Sequence, residues 1–274
     1  MGEPSSGGVA HALKDGLARV ASAPAVFAGT LAVTFTLALS KSLGALFLLF
    51  DQHMAVIHVS PFGGAMHLPQ GVPLNWFIVW SFLAGGILDR YARNRPTRGR
   101  GFFGACGAHF PAMLRLGLAE WLVWIAAARL DLARYPGYVA LVVGLAAGLV
   151  FLYARVRLVV EDRRSAIGAL LAGGRFIGRN PGAISIFLIF AAGIWIGEGL
   201  WRRLPPPGDR LLVYAEAELL VALLLFLVFA SWASAVSFFQ GRLAHASYTA
   251  GPPLVWPESP AAEAIANLTP TRRS

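Results

Sequence analysis

From Leu219 to Gly241 the chain runs without one charged side chain, and most of that run is leucine, valine, alanine or phenylalanine. A helix crosses the hydrocarbon of a bilayer in roughly 20 residues, and only a helix satisfies its own backbone there. This run therefore excludes an ordinary water-surrounded fold, and it is not isolated. Val20 to Ser40 is likewise uncharged, bounded by Arg19 and Lys41. Further apolar runs predict spans at about Ala25–Leu49, Val72–Leu88, Pro111–Ala128, Gly137–Ala154, Pro181–Leu200 and Leu211–Gly241. The expected fold is all-α: a polytopic bundle of about six transmembrane helices.

Composition agrees, with 57% hydrophobic and only 14% charged residues in 274. The formal charge of +9 reflects 23 basic against 14 acidic side chains. The arginines gather at the ends of apolar runs, where membrane lipid headgroups are the nearest anions, and no nucleic-acid role is expected. The lone Cys106 forms neither an internal disulfide nor a cysteine metal motif. No cleavable leader is expected, because Met1 to Gly8 carries no basic cluster and the first apolar run is too long for a signal.

The bounds so drawn are a 1–24 N-terminal segment with an interfacial helix, a 25–241 membrane domain and a 242–274 proline-rich tail. Basic residues cluster at Arg90 to Arg100 and at Arg155 to Arg179, whereas Asp51 to Gly71 has no lysine or arginine. The positive-inside rule then places both termini in the cytoplasm, and the setting expected is a bacterial inner membrane. Trp76 and Trp80, near the start of the second run, are expected at the interface. Gly144 and Gly148 have the spacing of a close helix approach.

An internal echo carries more information. Leu13 to Pro24 and Leu170 to Pro181 share the same leucine-to-proline interval ahead of an apolar run, and Phe102 to Pro111 repeats it more weakly. Proline suits the first turn of a helix, whose amides lack acceptors. The expected plan is three parallel repeats, each an interfacial helix followed by a transmembrane hairpin. In Ser165 to Ile177, Ile167, Leu170, Leu171 and Ile177 recur at near-helical spacing. That fits an amphipathic helix whose neighbours Arg163, Arg164, Arg175 and Arg179 contact lipid or a partner.

The stretch Tyr153 to Pro181, with its Glu161-Asp162-Arg163-Arg164 run and its terminal Asn180-Pro181, resembles a segment of poorly characterised bacterial polytopic proteins. Those are related to the membrane domain that accompanies some glycerophosphoryl diester phosphodiesterases. The likeness covers about a tenth of the chain. It implies a membrane architecture; the family's soluble barrel and its metal-binding acids are absent, so it implies no hydrolysis.

Ionisable groups inside spans are functional candidates by default. Lys41, Arg115, Glu120 and Glu198 are the intramembrane set, and Arg115 and Glu120 are the two least explained by nearness to a helix end. Interhelical ion pairing is the plainer reading and transport the sharper one. His53, His58 and His67 lie in one loop with Met54 and Met66, ligand types that suit haem iron or copper. Their spacing matches no strong motif, so loop contacts outweigh a metal or haem role, and bound lipid is the nearer ligand. No Gly-x-Ser-x-Gly, His-Glu-x-x-His or Gly-x-x-x-x-Gly-Lys sequence occurs, and an enzyme is not expected. The expected role is an accessory or scaffold subunit of a larger membrane complex, with other membrane subunits as partners. The alternative is a transporter or lipid-handling protein that uses the charges inside its bundle.

Overall fold

In a computed structural model the described residues are 8–46, 74–134, 138–201, 203 and 210–249. Among them are eight helices and no strand: α1 (Val9–Ala21), α2 (Pro24–Leu46), α3 (Leu74–Arg93), α4 (Gly99–Arg134), α5 (Tyr138–Val160), α6 (Ala166–Arg179), α7 (Gly182–Trp201) and α8 (Arg210–Thr249). Within the described residues each apolar run of the sequence is helical, and two shorter helices, α1 and α6, precede Pro24 and Pro181. Three helical stretches are long and apolar enough to cross a membrane: Leu141–Val160, Gly182–Trp201 and Glu218–Leu243. A fourth is added if α1 and the start of α2, bent by 73° at their junction, count as one broken span.

The outside of the bundle is oily. Leu188, Ile189, Ile196 and Leu200 of α7, Leu219 and Leu223 of α8, and Leu118 and Leu122 of α4 are all exposed. A soluble protein rarely leaves so much contiguous apolar surface uncovered, whereas hydrocarbon solvates it at no cost. The later part of α8 is the exception, because every residue from Val228 to Phe239 is buried. A helix apolar on all sides is one surrounded by others, and α8 touches α1, α2, α3, α5 and α7. Small side chains let the neighbours in: a Cβ on Gly16 of α1 would collide with Ser234 of α8.

α1 and α6 bury matching sets. In α1 these are Ala12, Gly16 and Val20, packed on α8; in α6 they are Ala169, Gly173 and Ile177, packed on α5. A Cβ on Gly173 would stand 3.1 Å from the backbone nitrogen of Ala154, so this contact too is made close by glycine. α6 starts with a proper cap, the Ser165 hydroxyl accepting from the Gly168 amide. Ile167 and Leu171, however, do not join its buried edge. They face outward, so α6 carries one apolar edge into the bundle and another away from it.

One expectation is corrected here. Pro111 does not open a new helix, since α4 runs through it unbroken for 36 residues. Its first part is held along α3, where Gly85 and Gly86 admit His109 and Cys106; a Cβ on Gly85 would be 2.7 Å from that of His109. Packing therefore outweighs the loss of one backbone hydrogen bond at proline. Trp80 of α3 is half-buried against Trp232 of α8, edge to face at 6.4 Å.

Candidate functional site: a buried ion pair and a polar layer

Glu120 sits midway along α4 with 1% of its surface exposed. An isolated carboxylate there is costly, and its partner is Arg155 of α5, whose Nη2 donates to Glu120 Oε2. Among the described residues Glu120 Oε1 has no partner. The expected interhelical ion pairing of Glu120 is thus found, but with Arg155, which the sequence places among the basic residues beyond the span. α5 continues to Val160, which carries Arg155 inside the helix. Arg115 takes no part, being exposed on α4 with Leu118 and Leu122 on the same side.

At one end of the bundle the polar groups form a layer. The C-terminal ends of α3 and α5 and the Gln240 turn of α8 meet α1 and α6 there, and basic side chains stand in the last turns of α1, α3, α5 and α6. Arg19 of α1 pairs with Asp15 at 2.8 Å, and its Nη1 donates to the Tyr91 carbonyl oxygen at 2.7 Å and to Gln240 Oε1 at 2.8 Å. Gln240 Nε2 in turn donates to the Ala92 carbonyl at 2.9 Å. Two orphan carbonyls at the end of α3 are so satisfied from two other helices, with a cation at the negative end of its dipole. Arg90 Nη2 donates to the Ser22 carbonyl at 3.0 Å, between α1 and α2.

A second arginine joins α5 to its neighbours. Arg157 Nη1 donates to the Ala172 carbonyl of α6 at 2.7 Å, while its Nη2 pairs with Glu161 at 2.6 Å. Its guanidinium also lies 5.5 Å over the Phe239 ring of α8. Glu161 accepts from Arg163 as well. Arg164, Arg175 and Arg179 are exposed around α6, as a headgroup-facing set would be.

Behind the layer, Cys106 is buried and its thiol is pushed up to about 11, mainly by burial. It is no nucleophile at neutral pH. Among the described residues no group of three histidine, cysteine or acidic side chains is placed to hold a metal. His53, His58 and His67 lie outside the described residues, as does the side chain of Lys41 in α2. Glu198 is half-buried near the end of α7.

Sequence reasoning missed Arg19, Arg155, Arg157 and Gln240 as joints. The signal available was slight, a basic or amide residue near the end of each helix. Compared with family models, with curated proteins and with solved structures, the chain finds no match.

Proposed function

We propose that the chain is a membrane scaffold, an accessory subunit without catalytic chemistry of its own that holds a partner in the plane of the bilayer. Arg115 carries this reading. It is exposed on α4 beside the exposed Leu118 and Leu122; in this reading α4 spans the bilayer, so hydrocarbon is its neighbour unless something polar covers it. A cation at mid-depth costs at least about 3 kcal/mol, and a carboxylate on a neighbouring subunit removes that cost. The inward charges support the same reading, because Glu120 and Arg155 are committed to joining α4 to α5.

The finer architecture belongs to this proposal. Six spans entering as three parallel units are supported by the matched buried sets of α1 and α6 at one interval before Pro24 and Pro181. They are also supported by the way α1, the start of α4 and α6 lie on α8, α3 and α5 respectively. The polar layer, rich in arginine, is the cytoplasmic face of a bacterial inner membrane in this reading, with anionic lipids as further partners.

The test is solubilisation of the membrane in mild detergent, followed by mass spectrometry of what travels with the chain. A partner in fixed ratio is expected, lost in Arg115→Leu while the melting temperature holds. A chain that runs alone as a monomer and moves a solute across vesicles overturns the reading in favour of transport.

A further inference from the structure

Between the end of α3, the first turns of α4 and the end of α5 lies a cleft of about 570 Å³. Its walls bring together Arg93 and Arg95 with Asp89 and Asp162, two cations against two anions. Arg93 engages Asp89 through Nε, at 2.8 Å, so its two terminal amino groups are the ones left for a ligand. His109, only 9% exposed, also lines the cleft, and no hydrogen bond to another described residue holds it. A ring nitrogen on the wall of a cleft is available to a ligand oxygen as it is to water.

Two further features fit an occupant. The side of α4 facing the cleft is made of Gly101, Gly104, Ala105 and Ala108. Where glycine serves packing in this fold, as at Gly16, Gly85 or Gly173, an added Cβ would strike a neighbour. At Gly101 and Gly104, as at other exposed glycines of the chain, it would meet nothing within 4 Å, so this wall leaves the cleft open. Asp162 adopts φ 48° in the helix stop after α5, where the Arg163 amide bonds the Leu158 carbonyl and its own amide the Val159 carbonyl, and this turn brings Asp162 to the wall of the cleft.

We infer that this cleft binds a phosphoethanolamine group, with Arg93, Arg95 and His109 on the phosphate and Asp162 on the primary ammonium. The inference is independent of the scaffold reading. The formal balance of the four charges suits a zwitterion. A glycerol headgroup would bring the negative charge alone and leave Asp162 unmatched. A choline group, which has no N–H to give and is usually held by aromatic rings, finds no phenylalanine, tyrosine or tryptophan in the walls. The free amides in the first turn of α4, near Gly101, add favourable dipoles at the phosphate end. Val159 and Val160 provide an apolar wall where the glycerol backbone of a lipid would lie.

The experiment uses the full chain in mild detergent, offered equal amounts of phosphatidylethanolamine, phosphatidylcholine and phosphatidylglycerol, with retained lipid read by native mass spectrometry. Phosphatidylethanolamine is expected to be retained about tenfold over the other two, the effect of one charge-assisted hydrogen bond. Asp162→Asn should abolish that preference, and Arg95→Gln should weaken retention of all three; both positions are exposed, and unchanged melting temperatures verify the fold. A parallel titration with soluble O-phosphoethanolamine separates the sources. Retention of the lipid without displacement by the soluble compound assigns the membrane as source, and binding of the soluble compound with the same Asp162 dependence assigns the free metabolite class. Equal retention of the three lipids with no binding of the soluble compound, or a preference indifferent to Asp162→Asn, overturns the inference.

Discussion

Glu120 and Arg155 face each other across the joint of α4 and α5, 35 residues apart in sequence and both nearly out of reach of solvent. Each alone would be a misplaced charge; together they fasten two helices of the bundle. Removing one leaves the other uncompensated, which costs about 3 to 5 kcal/mol in buried pairs, whereas replacing both with apolar residues of similar size is often neutral.

Glu120→Leu and Arg155→Met are therefore each expected to lower the melting temperature sharply, and the double variant to recover most of the loss. Thermal unfolding of the detergent-solubilised chain, followed by tryptophan fluorescence, measures this. If the pair served proton or ion passage, the double variant would be stable and specifically dead in flux. If it is a joint, as proposed, partner retention survives in the double variant.

Glycine governs how closely α1 and α6 lie on the bundle. Gly16→Leu must displace Ser234, and Gly173→Leu must displace the α5 backbone at Ala154. Overpacking of this kind costs about 1 to 3 kcal/mol. Gly174→Leu, with nothing within 4 Å, is the control and is expected to be silent. Melting temperatures of the three variants decide the matter.

Arg19 illustrates a cap that lysine cannot copy, because one guanidinium serves Asp15, Tyr91 and Gln240 together. Arg19→Lys is expected to lose about 1 to 3 kcal/mol, close to the loss in Arg19→Met, since the fork geometry is what is used. Hydrogen exchange at the end of α1 should quicken in both variants. Full rescue by lysine would show that charge alone matters.

Burial of Cys106 predicts a pH dependence with a definite sign. Its thiol is raised from 9.0 to about 11, so the neutral form belongs to the fold. The unfolded thiol ionises first as pH rises. The contribution to stability is thus whole below pH 9 and is lost as pH climbs from there through about 11. At pH 8 the folded thiolate fraction should be about a hundredfold below that of the unfolded chain, and alkylation correspondingly slow. Mass spectrometry of iodoacetamide labelling with and without SDS checks it, and equal rates would refute burial.

The outward edge of α6 makes a depth prediction. Ile167 and Leu171 are exposed beside Arg175 and Arg179, the pattern of a helix lying at the headgroup boundary. A fluorophore at Leu171 should be quenched by lipids carrying nitroxide at the headgroup more than by lipids carrying it deep in the acyl chain. A fluorophore at Ile189, exposed near the middle of α7, should show the reverse order.

Much of this architecture was legible in the residues themselves. Uncharged runs longer than about 18 residues have no stable place but an apolar surrounding, and backbone self-sufficiency makes them helices. The breaks at Pro24 and Pro181, and the short helices before them, follow from local chemistry: a proline without a donor, a serine cap, a repeating apolar edge. Nothing local announced that α4 would pass through Pro111, because that outcome rests on Gly85 and Gly86 of another helix. The partner of Glu120 was equally hidden. A carboxylate's need for a cation is readable at its own position, but which cation meets it depends on how α5 lies against α4. The cleft is of the same kind, since Asp89, His109 and Asp162 come from three places in the chain that converge only when the bundle is packed. Sequence determines what each segment must avoid, since solvation and backbone bonding act residue by residue; only the folded bundle decides which groups answer one another, since that is a property of distance across the fold.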